Sequence, residues 1–170
     1  QAYLKKYRPY CNAALQLLQV LSDSQIIPYA PSVQEVYGKN VASSSYDYWG
    51  IEHEMEGAFR PGHFDGVGTI FEYFFKLIQP QVAIFGQKDF QQLHVIKRMV
   101  LDLDLPVEIV PCKTIREPDQ LALSSRNSQL SSNDRKIAPI LAQTLFDAAD
   151  QIKEGVDVAT VLYNSKEKLI

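Results

Sequence analysis

Long apolar runs are missing from this chain, and so are clustered cysteines, paired histidines and an excess of basic residues. No uninterrupted apolar stretch approaches the ~20 residues that a helical membrane span needs, so no membrane partner is expected. Cys11 and Cys112 are the only cysteines, and no Cys-x-x-Cys pair or Cys/His cluster accompanies them. That argues against a disulfide framework and a structural zinc site, and it fits a reducing cytoplasm best. His53, His63 and His94 form no His-x-x-His pair, so no metal-ligand set is predicted from the protein. The formal net charge of -3 gives no reason to expect nucleic acid, although a local basic site can still hold a small polyanion. A Walker-type Gly-rich Lys-Ser/Thr loop, a G-x-G-x-x-G fingerprint and a nucleophile elbow are all lacking. Kinase-like P-loop, Rossmann dehydrogenase and serine hydrolase readings fall away with them. The start has no signal-peptide layout and no initiator Met, and the chain is therefore read as a fragment.

What remains is an ordinary globular composition, 46% apolar and 22% charged over 170 residues. That length suffices for one domain, or one and a half. The Ala-, Leu- and Gln-rich segment Tyr10 to Leu21 reads as a helix beginning after Pro9, and Ile26 to Ala30 as a short strand closed by Pro31. Between Gly38 and Gly57 the pattern is weak, with Ser43, Ser44 and Ser45 marking a loop. Val67, Ile70, Phe71, Phe74 and Ile78 follow helical spacing, which predicts a helix from about Asp65 to Leu77 that stops before Pro80. Val82 to Phe85 is an apolar strand ending at Gly86. A second helix follows with Leu93, Ile96, Val100 and Leu103 inward, and then a strand over Val107 to Val110. Strand, helix and strand with so long a crossover pair in parallel, so the fold class is α/β. The polar stretch Arg116 to Gln120, with Pro118, marks a hinge between a domain over 1–115 and a smaller one over 116–170. Ser131 or Ser132 can cap a helix running to Glu154 and ended by Gly155, with Pro139 kinking or dividing it; Asp157 can cap a last helix.

Three stretches carry chemistry. In Phe85-Gly86-Gln87-Lys88-Asp89-Phe90-Gln91-Gln92, a parallel strand gives way to a helix at the carboxyl edge of the sheet, where open α/β folds bind ligands. Gly86 permits close approach to the backbone, Lys88 is a mobile cation suited to phosphate, and Asp89 is an acceptor suited to ribose hydroxyls. A helix starting near Lys88 would set Lys88, Asp89 and Gln92 on one face. The same text also describes a plain helix start, with Asp89 satisfying end N–H groups and Lys88 solvated. In Leu123-Ser124-Ser125-Arg126-Asn127, two hydroxyls and a guanidinium could grip a polyphosphate, or simply form a polar loop entering a helix. In Glu56 to Phe64, Arg60 and His63 before a helix could meet an anion, while Arg60 could equally pair with Glu56. His53 and His94 have no supporting neighbours.

Taken together, in this order and spacing, these stretches resemble the pantoate–β-alanine ligase (pantothenate synthetase) family. The likeness rests on Glu56-Gly57, Arg60-Pro61-Gly62-His63-Phe64, Gln79-Pro80, Phe85 through Leu93 and Leu121 through Asn127. Ala30-Pro31-Ser32 and Arg135-Lys136-Ile137-Ala138-Pro139 also fit, so it runs over nearly the whole chain. The resemblance implies a parallel-sheet, nucleotidyltransferase-like (Rossmann-type) domain followed by part of a smaller C-terminal domain that closes over the site. It implies a reaction with Mg²⁺ in which ATP and pantoate give pantoyl adenylate and pyrophosphate, after which β-alanine displaces AMP. By position it assigns ATP contacts to Gly86, Gln87, Lys88, Asp89, Ile115, Leu123, Ser124, Ser125 and Arg126, with Lys88, Ser124, Ser125 and Arg126 acting on phosphate. Ile115 would offer its backbone to adenine and Gln92 would bind pantoate. A homodimer is implied for the full-length protein.

The sequence departs from the family at Gln87, where Glu is usual, and at Gln120, where Gly is usual. The family's His-containing phosphate motif would lie upstream of Gln1, so this polypeptide alone is expected not to complete the reaction. A nucleotide-binding module, or a related nucleotidyltransferase without ligase activity, is the alternative; a purely structural dimerisation piece is a third.

Overall fold

The computed structural model describes residues 29–169, and the helix expected over Tyr10 to Leu21 lies outside them, as does Cys11. Of the strand expected over Ile26 to Ala30, only Tyr29 and Ala30 are described, and neither is in regular structure. The chain divides into two compact units, 1–43 and 44–170.

In the first unit, Ser32 opens the short helix α1 (Val33–Tyr37) with a reciprocal cap. Its hydroxyl accepts the Glu35 N–H at 3.2 Å, and the Glu35 carboxylate accepts the Ser32 N–H at 2.6 Å. Two donors that a helix start leaves unpaired are thereby satisfied.

The second unit holds the elements that build the candidate site. A tight turn at Ile51–His53 leads to α2 (Met55–Phe59) and then to α3 (His63–Ile78). Next come β1 (Val82–Gly86), a 3₁₀ turn at Gln87–Asp89, α4 (Phe90–Asp102) and β2 (Glu108–Cys112). The two strands pair in parallel, Val82 opposite Glu108 through Gly86 opposite Cys112, as the strand–helix–strand pattern requires. Strand β2 starts one residue later and ends two residues later than the apolar run suggests; Pro111 takes its place in the register opposite Phe85.

The core lies where α3 and α4 meet, with Tyr48, Phe64, Phe75, Val95, Ile96, Met99, Val100 and Val107 buried together. On α4 the inward face is the expected one, widened by Val95 and Met99. On α3 it is rotated: Phe64, Gly68 and Phe75 are buried, Val67 and Phe71 pack against the cluster, and Ile78 is exposed. Tyr48 explains the rotation. Its ring is fully buried and its hydroxyl donates to the Phe64 carbonyl at 2.9 Å, in a place that a Cβ on Gly68 would fill. The weakly patterned stretch before Gly57 thus supplies a core aromatic. Tyr46 lies beside it, its hydroxyl donating to Glu72. Burial first, and then that hydrogen bond, push the Tyr46 phenol up to about 12.

Beyond β2 the chain forms a small hairpin in which Arg116 bridges Ala122, the Glu117 N–H donates to Leu121 O at 2.8 Å, and Gln120 has φ 72°. A 3₁₀ turn at Ser125–Gln129 follows, then α5 (Ser132–Ile137), α6 (Pro139–Lys153) and α7 (Val158–Leu169). Pro139 divides the expected long helix in two and occupies the first turn of α6, where its missing N–H leaves no bond unmade. Ser131 caps α5, and the Asp157 carboxylate accepts the Thr160 N–H at 2.9 Å at the start of α7.

Candidate active site

Gly86 closes β1 at its carboxyl end with φ −71°, and a Cβ built there would meet nothing within 4 Å. The backbone is therefore open to an incoming group on that side. The next three residues do not belong to α4, as a single helix face would require; they wind as a tighter turn, and α4 starts at Phe90. Asp89 stands at the N-cap position, yet its side chain makes no capping bond. Its carboxylate lies 3.8 Å from Lys88 Nζ, a loose ion pair in which both partners remain accessible. The plain helix-start reading, in which Asp89 satisfies end N–H groups, does not describe this turn. The turn leaves the Lys88 and Asp89 side chains accessible and not spent on capping.

Lys88, Asp89 and Gln92 border one cavity of about 180 Å³, and Met55, Glu56 and His63 form its other wall. Arg60 pairs with Glu56, the alternative left open by the sequence, and its guanidinium also lies 3.2 Å from His63 Nε2. Burial, and then the Arg60 charge, hold the His63 imidazole below its ordinary value, with Glu56 opposing. His63 is consequently biased toward the neutral form, in which one ring nitrogen donates a hydrogen bond and the other accepts one.

Between the two walls sits a residue that sequence reasoning left without a role. Gln91 is only 9% exposed. Its amide donates to Ile51 O at 2.8 Å and Glu54 O at 2.7 Å, and its carbonyl accepts the Glu56 N–H at 3.0 Å. A polar residue on the apolar face of an amphipathic helix was the available signal, since a buried amide must find partners; which partners could not be read locally.

The other predicted residues lie away from this cavity's lining. Gln87 is exposed in the turn after Gly86. The Ile115 carbonyl accepts the Leu123 N–H at 2.9 Å, closing the hairpin base and leaving one lone pair for a second donor. Ser124 accepts the Arg126 N–H at 3.2 Å and opens the 3₁₀ turn containing Ser125 and Arg126, and the Ser125 carbonyl accepts the Ser128 hydroxyl at 2.8 Å. His53 borders a different, larger cavity of about 550 Å³ with Glu52 and Asp65. Two carboxylates and no Lys or Arg make that cavity a poor host for a polyphosphate. His94 lies against the Phe90 ring at 4.4 Å between centroids.

A family model described as pantoate-beta-alanine ligase matches residues 2–169. The chain belongs to this ligase family. It is 48% identical over 142 residues to the pantothenate synthetase of Chelativorans sp. (strain BNC1), covering 84% of this chain and 50% of that protein. It is 45% identical over 143 residues to that of Acinetobacter baylyi, covering 84% and 51%. Among solved structures, the pantothenate synthetase from Thermus thermophilus superposes with a TM-score of 0.84 at 42% identity, over 92% of this chain and 57% of that one. The pantoate-beta-alanine ligase from Francisella tularensis, complexed with beta-gamma ATP and beta-alanine, gives 0.73 at 28% identity, over 91% and 58%. The chain therefore spans about half the length of the curated relatives it matches, and its parallel α/β core is the ligase family's fold.

Proposed function

We propose that the protein carrying this chain is an ATP-dependent ligase that condenses pantoate with β-alanine. The observation that carries the reading is the convergence of Lys88, Asp89 and Gln92, at the carboxyl end of β1, on one cavity faced by Glu56 and His63. At about 180 Å³ the cavity is smaller than the ~300 Å³ at which drug-sized ligand sites begin. That size suits a small hydroxy acid at Gln92, with the nucleotide phosphates at the Lys88 rim.

In the first step the pantoate carboxylate attacks the α-phosphorus of ATP in line, and pyrophosphate departs, leaving pantoyl adenylate. In the second the β-alanine amine attacks the acyl carbon, loses a proton, and AMP leaves. Positioning and charge stabilisation dominate such displacements. Lys88 stabilises phosphate charge, the open backbone at Gly86 admits the nucleotide, Asp89 accepts from ribose, and Gln92 orients the acid. The Ile115 backbone takes the adenine edge. Leu123, Ser124, Ser125 and Arg126 form a second phosphate grip, in the segment we assign to a smaller domain beginning near residue 116. Neutral His63, beside Arg60, can orient a bound substrate by hydrogen bonding without adding charge to that wall.

Mg²⁺ would be held chiefly by the phosphates of bound ATP, and it would supply neutralisation of their charge. Among the described residues no group of three or more His, Cys, Asp or Glu side chains could hold a metal, and substrate phosphates with one or two carboxylates commonly hold this ion. A homodimer and a cytoplasmic setting complete the proposal; among the described residues no helix is long and apolar enough to cross a membrane.

Pantoate-dependent exchange of labelled pyrophosphate into ATP tests the reading. Exchange is expected in the full-length protein, with a loss of ~100-fold or more in Lys88→Ala, the scale of a lost transition-state charge contact. Exchange absent from the full-length protein would remove the ligase reading.

A further inference from the structure

We infer that Gln91 is a positioning residue that sets the width of the small-acid cavity by tying its two walls together. The inference rests on the ligase reading for the identity of the ligand, but its geometry stands without it. Gln91 is the second residue of α4, between Lys88–Asp89 on one side and Gln92 on the other, so its backbone moves with the wall that would grip phosphate and acid. Its side chain points the opposite way, to the turn and helix start that carry Glu56. All three of its hydrogen bonds go there, to Ile51 O, Glu54 O and from the Glu56 N–H, across 35 to 40 residues of sequence.

The chemistry of the amide matters. Only a side chain with donors and an acceptor on one carbon can satisfy two carbonyls and an N–H together. A methionine of similar volume would fill the space but take away the acceptor of the Glu56 N–H and leave Ile51 O and Glu54 O with only their local backbone donors, so nothing would tie that segment to α4. If packing were the whole requirement, an apolar residue would serve, as Leu93, Val95 and Ile96 do further along the helix. What the amide adds is registration. Glu56 is fixed at its own N–H, Glu56 pairs with Arg60, and Arg60 meets His63 at 3.2 Å. Gln91 thus sets the position of that whole wall relative to Lys88 and Gln92. A shift of about 1 Å at a reacting site can cost two orders of magnitude in rate.

The test compares the full-length protein with its Gln91→Met and Gln91→Glu variants, at a temperature where circular dichroism shows each folded. The expected result is a split. The KM for pantoate in pyrophosphate exchange rises tenfold or more in Gln91→Met, while that for ATP changes less than threefold. Gln91→Glu, which keeps the acceptor and loses both donors, lies between, and it carries the comparison alone if the Met variant does not fold. The His63 ring, followed by NMR, should also titrate higher in the variants as its wall loosens and hydrates. A lowered melting temperature with both KM values and the His63 titration unchanged would show Gln91 to be structural only and overturn the inference. If the wild-type protein shows no exchange, the ligase reading falls by itself, and the His63 titration then decides whether Gln91 positions the wall.

Discussion

Gly57 is buried at the junction of α2 with the preceding turn, and a Cβ built on it would collide with the backbone carbonyl of Glu52. A flexible side chain could swing aside, but this carbonyl belongs to the turn that Gln91 holds through Ile51 and Glu54, so it has little freedom. Gly57→Ala should therefore cost roughly 3 kcal/mol, the upper end of overpacking penalties, read as a lowered midpoint in urea unfolding. Gly86 gives the opposite expectation from the same substitution. Nothing lies within 4 Å of a Cβ there and its φ is ordinary, so Gly86→Ala should leave the urea midpoint unchanged. If the nucleotide approaches that backbone, titration calorimetry on the full-length protein should show ATP affinity reduced about tenfold, ~1.4 kcal/mol. Unaltered ATP affinity would move the nucleotide away from Gly86. Gln120 is a third case, in which an L-residue takes φ 72° in the hairpin after β2. Left-handed backbone costs a non-glycine residue ~1–2 kcal/mol, whereas glycine's extra freedom in the unfolded chain costs ~0.5–1. Strain wins, and Gln120→Gly should raise stability by about 0.5 kcal/mol in the same unfolding measurement.

At the scale of elements, the hairpin after β2 depends on what holds it to α5. Arg135 reaches Asp119 at 2.5 Å, and Arg116 lies over the Phe146 ring of α6 at 5.1 Å. The hydrogen bond from Arg135 keeps the Asp119 carboxyl below its ordinary value, with the Leu121 N–H adding to it against a smaller opposing effect of burial. A carboxyl lowered in the folded state contributes stability that is fully present above its ordinary pKa and is lost as pH falls through the folded value. The difference in unfolding free energy between wild type and Asp119→Asn should accordingly be positive near about pH 6 and smaller near about pH 2, shrinking as pH falls through the folded value. A difference of the same size at both would mean the contact does not depend on the charge. The elements themselves were largely legible in the sequence. Signals that act within one or two turns, such as Pro139 at a helix start, Ser131 and Asp157 as caps and Gly155 after the last turn of α6, come out where local chemistry puts them. What could not be read depends on distant partners. The face of α3 follows from Tyr48, whose hydroxyl reaches the Phe64 carbonyl, and the α2 segment is ordered by an amide on α4. The candidate site divides along the same line: Lys88, Asp89 and Gln92 stand within five residues of one another and could be named as candidates beside the plain helix-start reading, whereas the Gln91 amide meets the Glu56 N–H only once the turn is folded against α4.

For the molecule as a whole, the adenylation reading needs two phosphate grips, one at Lys88 after β1 and one at Ser124 to Arg126 before α5, to act on a single triphosphate. Each is built by local chemistry: Lys88 by a tight turn entering α4, and Arg126 by a turn that Ser124 caps. Local construction fixes each grip but says nothing about joint action, and joint action leaves an energetic signature. If both side chains stabilise the same departing pyrophosphate, removing one changes how charge and position are shared with the other, and their effects on the transition state do not add. A double-mutant cycle with Lys88→Ala, Arg126→Ala and the pair together, read in kcat/KM for pantoate-dependent pyrophosphate exchange by the full-length protein, measures that coupling. An interaction energy of about 0.5–3 kcal/mol is the range for residues sharing one partner, against ~0.3–0.5 kcal/mol of scatter for independent sites. Coupling inside that scatter would mean that the two segments never share a ligand during the reaction, and the second grip would have to be assigned to some other anion.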